Sequence, residues 1–278
     1  MSNEVVYQRE YPGLLFEKKG PIAYIRFYNP GRLNAISYTM FDSLNTLFDT
    51  MDGDRTLRAV ILTGEGERSF MAGADLKGGA TKVADKSAQP YFPAEANRDF
   101  RRYIHRTYTK IANFERPTMA AINGYCLGGG AELALCCDFR IASKNAKIGY
   151  PEVNIGAIAG YVGITRATRI LGPTVAKRML MSGTHFTAEE ALKMGFVSDV
   201  VDQADLIPAC EAFLKDMIEK APIAVKFTKI AVDRCAEMSY EASCEFERVL
   251  TSFVCASEDY TEGVTAFAEK RKPQWKNN

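Results

Sequence analysis

The chain has 278 residues, of which 47% are hydrophobic, so it is long enough to bury one sizeable core. Its 35 basic and 34 acidic residues give a formal net charge of +1, which disfavours a broad surface for nucleic acid or anionic membranes. Since no apolar run approaches the roughly 18 to 20 residues that span a bilayer, membrane insertion is not expected.

The first ten residues, MSNEVVYQRE, include acids and contain no apolar core region, unlike a signal peptide or a transit sequence. We therefore expect a cytoplasmic location. The seven cysteines are odd in number and form no Cys-x-x-Cys pair, so we interpret them as reduced residues in apolar segments. A nucleophilic or metal-binding thiol is the alternative, but neither of the two histidines lies at ligand spacing from a cysteine. No metal site is predicted.

Alternating strands and helices are predicted in the first 160 residues. A hairpin is expected over residues 14–17 and 22–28, then a helix over 38–51, a buried strand over 59–63 and an amphipathic helix over 101–114. Further strands are predicted at 119–122 and 139–142. Residues 78–97 lack sustained periodicity, and we interpret them as a loop beside the site described below, in which Tyr91 and Phe92 line an acyl pocket or only anchor the loop.

After residue 163 the pattern becomes helical. Helices are predicted over 164–170, 175–182, 188–194, 204–219, 223–237 and 240–256. We divide the chain into a core carrying the active site, residues 1–200, and a helical C-terminal region, residues 201–278.

The most informative segment is AINGYCLGGGAEL, residues 121–133, which is followed by a second acid in Tyr150-Pro151-Glu152. The three glycines allow a tight turn from a strand into a helix, and the amide groups at a helix N-terminus favour a bound oxygen that gains negative charge. Gly129 is the preferred donor. Glu132 and Glu152 are candidate acid and base groups, although an acid in a first helical turn often only complements the helix dipole.

These residues resemble the crotonase (enoyl-CoA hydratase/isomerase) superfamily over nearly the whole chain. The resemblance rests on the glycine triplet with Glu132, on SFMAGADLK (residues 69–77), GRLNA (31–35), Pro151-Glu152 with Gly156, and FAEKRKP (267–273). It implies an α/β fold, a crotonase-like ββα spiral core with a helical C-terminal region that assembles trimers or hexamers. It also implies that the amides of Ala74 and Gly129 form the oxyanion hole.

By this resemblance, the two glutamates catalyse hydration of a 2-enoyl-CoA. Glu132 activates the water and Glu152 delivers the α proton, with coenzyme A present only as part of the substrate and no permanently bound cofactor. The family pattern places candidate substrate or coenzyme A contacts at Arg32, Asn34, Met71, Ala72, Asp75, Leu76, Lys77, Phe267 and Lys270. Asn34 and Asp75 have an alternative role in ordering the local backbone, and Arg32 and Lys77 have an alternative role as solvated surface charges.

One departure concerns residues 159–163, AGYVG, where relatives usually carry Pro-Gly-Ala-Gly-Gly. Tyr161 either hydrogen-bonds a polar, cyclic or aromatic acyl group or only fills space at a helix start. The alternatives to a hydratase are an enoyl-CoA isomerase, a CoA thioester hydrolase, and a non-catalytic subunit that binds CoA ligands. His105 and His185 receive no catalytic role.

Overall fold

The computed structural model describes residues 10–75 and 94–277. Leu76, Lys77, Tyr91 and Phe92 therefore lie outside the described residues. Ten strands lie within them: β1 Leu14–Lys19, β2 Ile22–Phe27, β3 Ala59–Gly64, β4 Ser69–Met71, β5 Thr118–Ile122, β6 Tyr125–Leu127, β7 Phe139–Ser143, β8 Lys147–Gly149, β9 His185–Thr187 and β10 Asp199–Val201.

Ten α-helices lie in the same part of the chain: α1 Tyr38–Asp52, α2 Ala94–Ala112, α3 Gly129–Ala134, α4 Gly163–Leu171, α5 Pro173–Ser182, α6 Ala188–Lys193, α7 Leu206–Ile218, α8 Pro222–Cys235, α9 Tyr240–Cys255 and α10 Glu258–Ala268. Helix α2 begins at Ala94. The loop predicted over residues 78–97 therefore extends too far, and the helix predicted over residues 101–114 starts too late. Helix α10 was not predicted.

A six-stranded sheet with the order β1-β2-β3-β5-β7-β10 forms the larger layer. The predicted hairpin is confirmed, since β1 and β2 pair antiparallel with Leu14 opposite Phe27. All the other pairings in this sheet are parallel. Every residue of β3 is buried, as is typical of a parallel strand covered on both faces.

A second sheet, with the order β4-β6-β8-β9, was not predicted. Its strands are three residues long and too short to show a hydrophobic period. From β3 to β8 the chain alternates between the sheets, because β3, β5 and β7 belong to the larger sheet and β4, β6 and β8 to the smaller one. This alternation is the spiral of the predicted α/β core, and it brings the ends of β4, β6 and β8 together.

Two apolar layers cover the larger sheet. Helix α1 is capped by the Ser37 hydroxyl, which accepts the Met40 N–H at 3.3 Å, and it buries a stripe at helical spacing that includes Phe41, Leu44 and Phe48. The opposite layer is formed by α7, which packs on alternate residues of β2, β3, β5 and β7. Helix α7 therefore completes the core, although it lies beyond residue 200.

The last three helices are less buried. Helices α8 and α9 pack on each other but contain no fully buried residue, and Val232, Val249, Phe253 and Phe267 are each more than half exposed. The Lys229 ammonium group contacts the Asp138 carboxylate at 2.7 Å, which joins α8 to the core. Among the described residues, no helix has both the length and the apolar character needed to cross a membrane.

Candidate active site

The glycine triplet lies where β6 passes into α3. Gly128 has a φ of 52° and a ψ of −122°, which a residue with a side chain adopts only under strain. A Cβ atom on Gly128 would lie 2.8 Å from Glu152 Oε1, and one on Gly130 would lie 2.1 Å from the Met71 carbonyl oxygen. These close approaches explain the glycines and bring β4, α3 and Glu152 into contact.

The two segments that carry the predicted oxyanion-hole amides lie close together. Gly129 is the first residue of α3, so its N–H has no acceptor within the helix. A Cβ atom on Gly73 would lie 3.7 Å from this nitrogen, which places the neighbouring Ala74 beside the turn. The Ile36 N–H donates to the Gly73 carbonyl, and the Asp75 N–H donates to the Ile36 carbonyl. Because alternate groups of an extended chain point in opposite directions, this pairing turns the Ala74 N–H away from Ile36.

Glu132 lies in the first turn of α3 and is 1% exposed. Its Oε2 accepts the N–H groups of Tyr161 at 2.6 Å and Gly163 at 2.5 Å, and its Oε1 accepts the Gly160 N–H at 3.2 Å. Val162, between these donors, has a φ of 72°, and the left-handed turn directs the neighbouring amides into one anion-binding concavity.

The pKa of Glu132 is raised to about 7, mainly by burial and also by the nearby Glu152 charge, while the three backbone donors partly offset this increase. Burial is also the main reason why the pKa of Glu152 is raised. Glu152 lies in the 3-10 turn Pro151–Ile155, and its Oε2 is buried without a hydrogen-bond partner among the described residues. Two acids that repel each other in a low-dielectric site can hold one proton between them.

Tyr161 forms one wall of this site. It is 7% exposed, and a Cβ atom on Gly129 would lie 3.0 Å from its ring. The ring makes edge contacts with Phe41 and Tyr108, at centroid distances of 6.0 and 5.8 Å. The structure therefore places the one departure from the family pattern directly against a predicted oxyanion donor.

Three neighbours were not identified from the sequence. The Tyr108 hydroxyl donates to the Gly129 carbonyl at 2.9 Å, and His105 Nε2 lies 2.8 Å from the Gly160 carbonyl oxygen. Tyr150 is fully buried, and its hydroxyl has no partner in the described part of the chain. The only sequence signal for Tyr150 is its place next to Pro151-Glu152.

The predicted substrate contacts divide into two groups. Asn34 is 2% exposed and uses its side chain on backbone, since it accepts the Asn29 N–H and donates to the Glu65 and Ser69 carbonyls. This geometry favours the alternative in which Asn34 orders the local chain. Met71 is buried in β4, Ala72 donates its N–H to the Leu33 carbonyl, Asp75 is buried beside Ala74, and Arg32 is exposed.

Phe267 and Lys270 lie elsewhere in the protomer. Phe267, on α10, is 87% exposed and lines an apolar cavity of about 370 Å³ with Val254 and Trp275. Lys270 follows the end of α10 with a φ of 55°. The structure does not group these two residues with the glutamates.

No group of three or more His, Cys, Asp or Glu side chains among residues 10–75 and 94–277 is arranged to hold a metal ion. Of the seven cysteines, Cys126, Cys136, Cys137 and Cys210 are buried, and burial raises the pKa of each of these thiols. A buried thiol with a raised pKa is a poor nucleophile.

Comparison with known proteins identifies the family. A family model described as enoyl-CoA hydratase/isomerase matches residues 17–278. The chain is 34% identical over 263 residues to a short-chain-enoyl-CoA hydratase of Clostridium acetobutylicum, covering 95% of this chain and 97% of that protein. It is 32% identical over 262 residues to a crotonyl-CoA hydratase of Syntrophomonas wolfei, covering 94% and 97%.

Solved structures agree. The crystal structure of an enoyl-CoA hydratase from Bacillus anthracis matches with a TM-score of 0.87 at 30% identity and covers 96% of this chain and 100% of that one. The predicted resemblance and the predicted fold class are both confirmed.

Proposed function

The chain belongs to the enoyl-CoA hydratase/isomerase family, and from this premise we propose that it is an acyl-CoA hydratase, a lyase that reversibly adds water to the double bond of a 2-enoyl-CoA. The observation that supports this reaction best is the pairing of two acids beside the glycine turn, the buried Glu132 and the half-buried Glu152. An isomerase needs one acid to move a proton, whereas hydration also needs a group that activates water.

In the proposed mechanism, the thioester oxygen accepts the N–H groups of Ala74 and Gly129. Charge moves onto this oxygen when water attacks the β carbon, so donors fixed in advance lower the barrier. Removing one donor of this kind costs about 3 to 4 kcal/mol in other enzymes, or two to three orders of magnitude in rate.

The proton transfers are assigned to the acid pair. Glu132, as the carboxylate, takes a proton from water while the water oxygen bonds to the β carbon. Glu152 gives its proton to the α carbon. The partnerless, buried Oε2 of Glu152 supports this assignment, because a protonated oxygen avoids the cost of an unpaired buried charge. Transfer of a proton from Glu132 to Glu152 after product release would restore the starting state.

Coenzyme A is proposed as the substrate handle, held by Arg32, Asp75, Leu76 and Lys77 and by the backbone of Met71 and Ala72. Phe267 and Lys270 lie outside the protomer's own site, so we assign their contact with the handle to a neighbouring subunit. The exposed apolar side chains of α8 to α10 support this assembly, with the part of residues 201–278 that follows α7 as the proposed oligomerisation region and a homotrimer or homohexamer as the product. Sedimentation of the purified chain tests it.

Hydration is tested by following the loss of enone absorbance for crotonyl, longer-chain, alicyclic and aromatic CoA thioesters. In ¹⁸O-labelled water, a hydratase places the label on the β carbon, whereas an isomerase gives an unlabelled positional isomer and a thioester hydrolase releases free CoA thiol. We expect the Glu132→Gln and Glu152→Gln double variant to lose hydration while remaining folded. Unchanged turnover by this variant would refute the mechanism.

A further inference from the structure

A stripe of basic side chains follows one face of α2. The residues of the stripe recur at spacings of three and four positions. Together with Thr109 and Asn113 they line an open groove of about 710 Å³. The stripe consists of Arg98, Arg101, Arg102, His105, Arg106 and Lys110. We call this surface the α2 groove.

Acids compensate only part of this charge. Asp99 lies 4.0 Å from Arg98 and 3.9 Å from Arg102, and Asp49 lies 2.8 Å from Lys110. Among the side chains that the structure describes, Arg101 has no carboxylate within ion-pair distance. Within residues 10–75 and 98–277, the guanidinium group is therefore not neutralised by a carboxylate and can bind an anion.

Two members of the stripe border the active site: His105, through the Gly160 carbonyl, and Arg101, through the Tyr161 ring. The Arg101 guanidinium carbon lies 5.3 Å from the centre of the Tyr161 ring, and its Nη1 would lie 2.7 Å from a Cβ atom on Gly160. The Tyr161 ring in turn contacts Gly129. A single aromatic ring thus separates a fixed guanidinium group from a predicted oxyanion donor.

This arrangement determines which side chains contact the acyl group of a bound substrate. If the thioester oxygen lies at Gly129 and the alkene lies at the glutamates, the part of the acyl chain beyond the β carbon reaches the wall made by Tyr161. Arg101 stacks on that wall, and stacking holds the planar fork of the guanidinium group in place. A preorganised fork binds a carboxylate through two parallel hydrogen bonds.

We propose that Arg101 is a specificity-determining residue that favours 2-enoyl-CoA substrates whose acyl chain ends in a carboxylate. The proposal rests on the proposed hydratase function and names its substrate class. Tyr161 contributes the surface on which the arginine is held, and the remaining cations of the α2 groove add a positive potential that attracts the acyl carboxylate.

The test compares two thioesters of equal chain length, glutaconyl-CoA with a terminal carboxylate and pent-2-enoyl-CoA with a terminal methyl group. In the unmodified protein, kcat/KM is expected to be higher for glutaconyl-CoA. Arg101→Gln should lower kcat/KM for glutaconyl-CoA on the order of 10- to 100-fold, the effect of losing a hydrogen-bonded charged partner, and should lower it much less for pent-2-enoyl-CoA.

Two further variants sharpen the comparison. Arg101→Lys keeps the charge but not the fork, so its loss should be intermediate, and it also serves if the glutamine variant fails to fold. Arg102→Gln is the matched control, because Arg102 lines the same groove and is exposed without touching Tyr161. This control should leave the ratio of the two kcat/KM values unchanged.

Two results would overturn the proposal. An equal loss for both thioesters means that Arg101 only supports the backbone of residues 160–161 or contacts the CoA handle. Equal kcat/KM values in the unmodified protein also exclude the specificity.

Binding separates this proposal from the proposed function. By calorimetry, the saturated glutaryl-CoA should bind more tightly than pentanoyl-CoA, and Arg101→Gln should remove the difference, even if neither enoyl thioester is hydrated. Equal binding of the two saturated thioesters refutes the role of Arg101 while leaving hydration standing.

Discussion

Glu132→Gln should change the pH dependence of stability by a calculable amount. In the folded chain the pKa of Glu132 is about 7, against an ordinary value of 4.5, mainly because the side chain is buried. Each unit of difference between the folded and unfolded pKa corresponds to 1.36 kcal/mol, so the ionised carboxylate costs the fold about 3 kcal/mol.

The sign follows from the raised pKa. Below pH 4.5 the carboxyl is protonated in both states and its stabilising effect is complete. Between pH 4.5 and about 7 the unfolded chain loses its proton first, so stability falls as pH rises; above about 7 the loss is complete. Glutamine has no proton to lose, and this variant avoids the decline.

Urea unfolding at several pH values measures the effect, with protomer concentration held fixed because assembly adds to apparent stability. We expect the difference in unfolding free energy between Glu132→Gln and the unmodified chain to move about 3 kcal/mol in favour of the variant from pH 4.5 to pH 8. The control is Glu67→Gln, which neutralises an exposed acid. If the unfolding free energies of Glu132→Gln and the unmodified chain change in parallel with pH across this range, ionisation of Glu132 does not destabilise the folded state and the reasoning is refuted.

Three other substitutions follow from the geometry. In Gly163→Ala, the new methyl group would lie 2.5 Å from the buried Glu132 carboxylate. We therefore expect kcat to fall at least about tenfold and the free energy of unfolding to fall by about 1 to 3 kcal/mol. The control is Gly53→Ala, whose methyl group would have its nearest neighbour at 3.7 Å and should leave the rate of enone loss unchanged. Tyr150→Phe removes a buried hydroxyl without a described partner, so it should leave the free energy of unfolding unchanged or raise it. Tyr108→Phe loses a 2.9 Å hydrogen bond and should lower the free energy of unfolding by about 1 kcal/mol. Equal losses for the two variants in urea unfolding would contradict this. Asn34→Ala leaves backbone groups unpaired and should cost about 2 to 4 kcal/mol by the same assay, and a loss below about 1 kcal/mol would show that solvent replaces these bonds.

The sequence was sufficient to predict a helix or strand where the element is long and its buried residues recur with a regular period. The hairpin, α1, β3 and the helices from α4 to α9 were predicted because each shows an apolar run or a helical period. The smaller sheet was missed for the opposite reason, since each of its strands has three residues. Such strands are stabilised by their neighbours, and their own sequence does not specify them.

The candidate site divides in the same way. Glu132, Glu152, Gly129 and Ala74 could be predicted from the sequence because motif and residue type single them out. The three amides that hold Glu132 were not found, because hydrogen bonding by backbone leaves no mark on residue type. The contact of Arg101 with Tyr161 was not predicted because it joins residues 60 positions apart on different elements.

In residues 160–163, the backbone and the side chains have different roles. Their backbone N–H groups fix the Glu132 carboxylate, while the side chain of Tyr161 forms a wall beside Gly129, which the proposed mechanism places against the acyl group. Val162 adopts a left-handed conformation that costs a β-branched residue about 1 to 3 kcal/mol, and the hydrogen bonds to the carboxylate offset this strain. Because the acid is held by backbone, the residue at position 161 can change the acyl pocket without releasing Glu132. Under the proposed function, acyl specificity can therefore vary at this turn while the proton chemistry is retained.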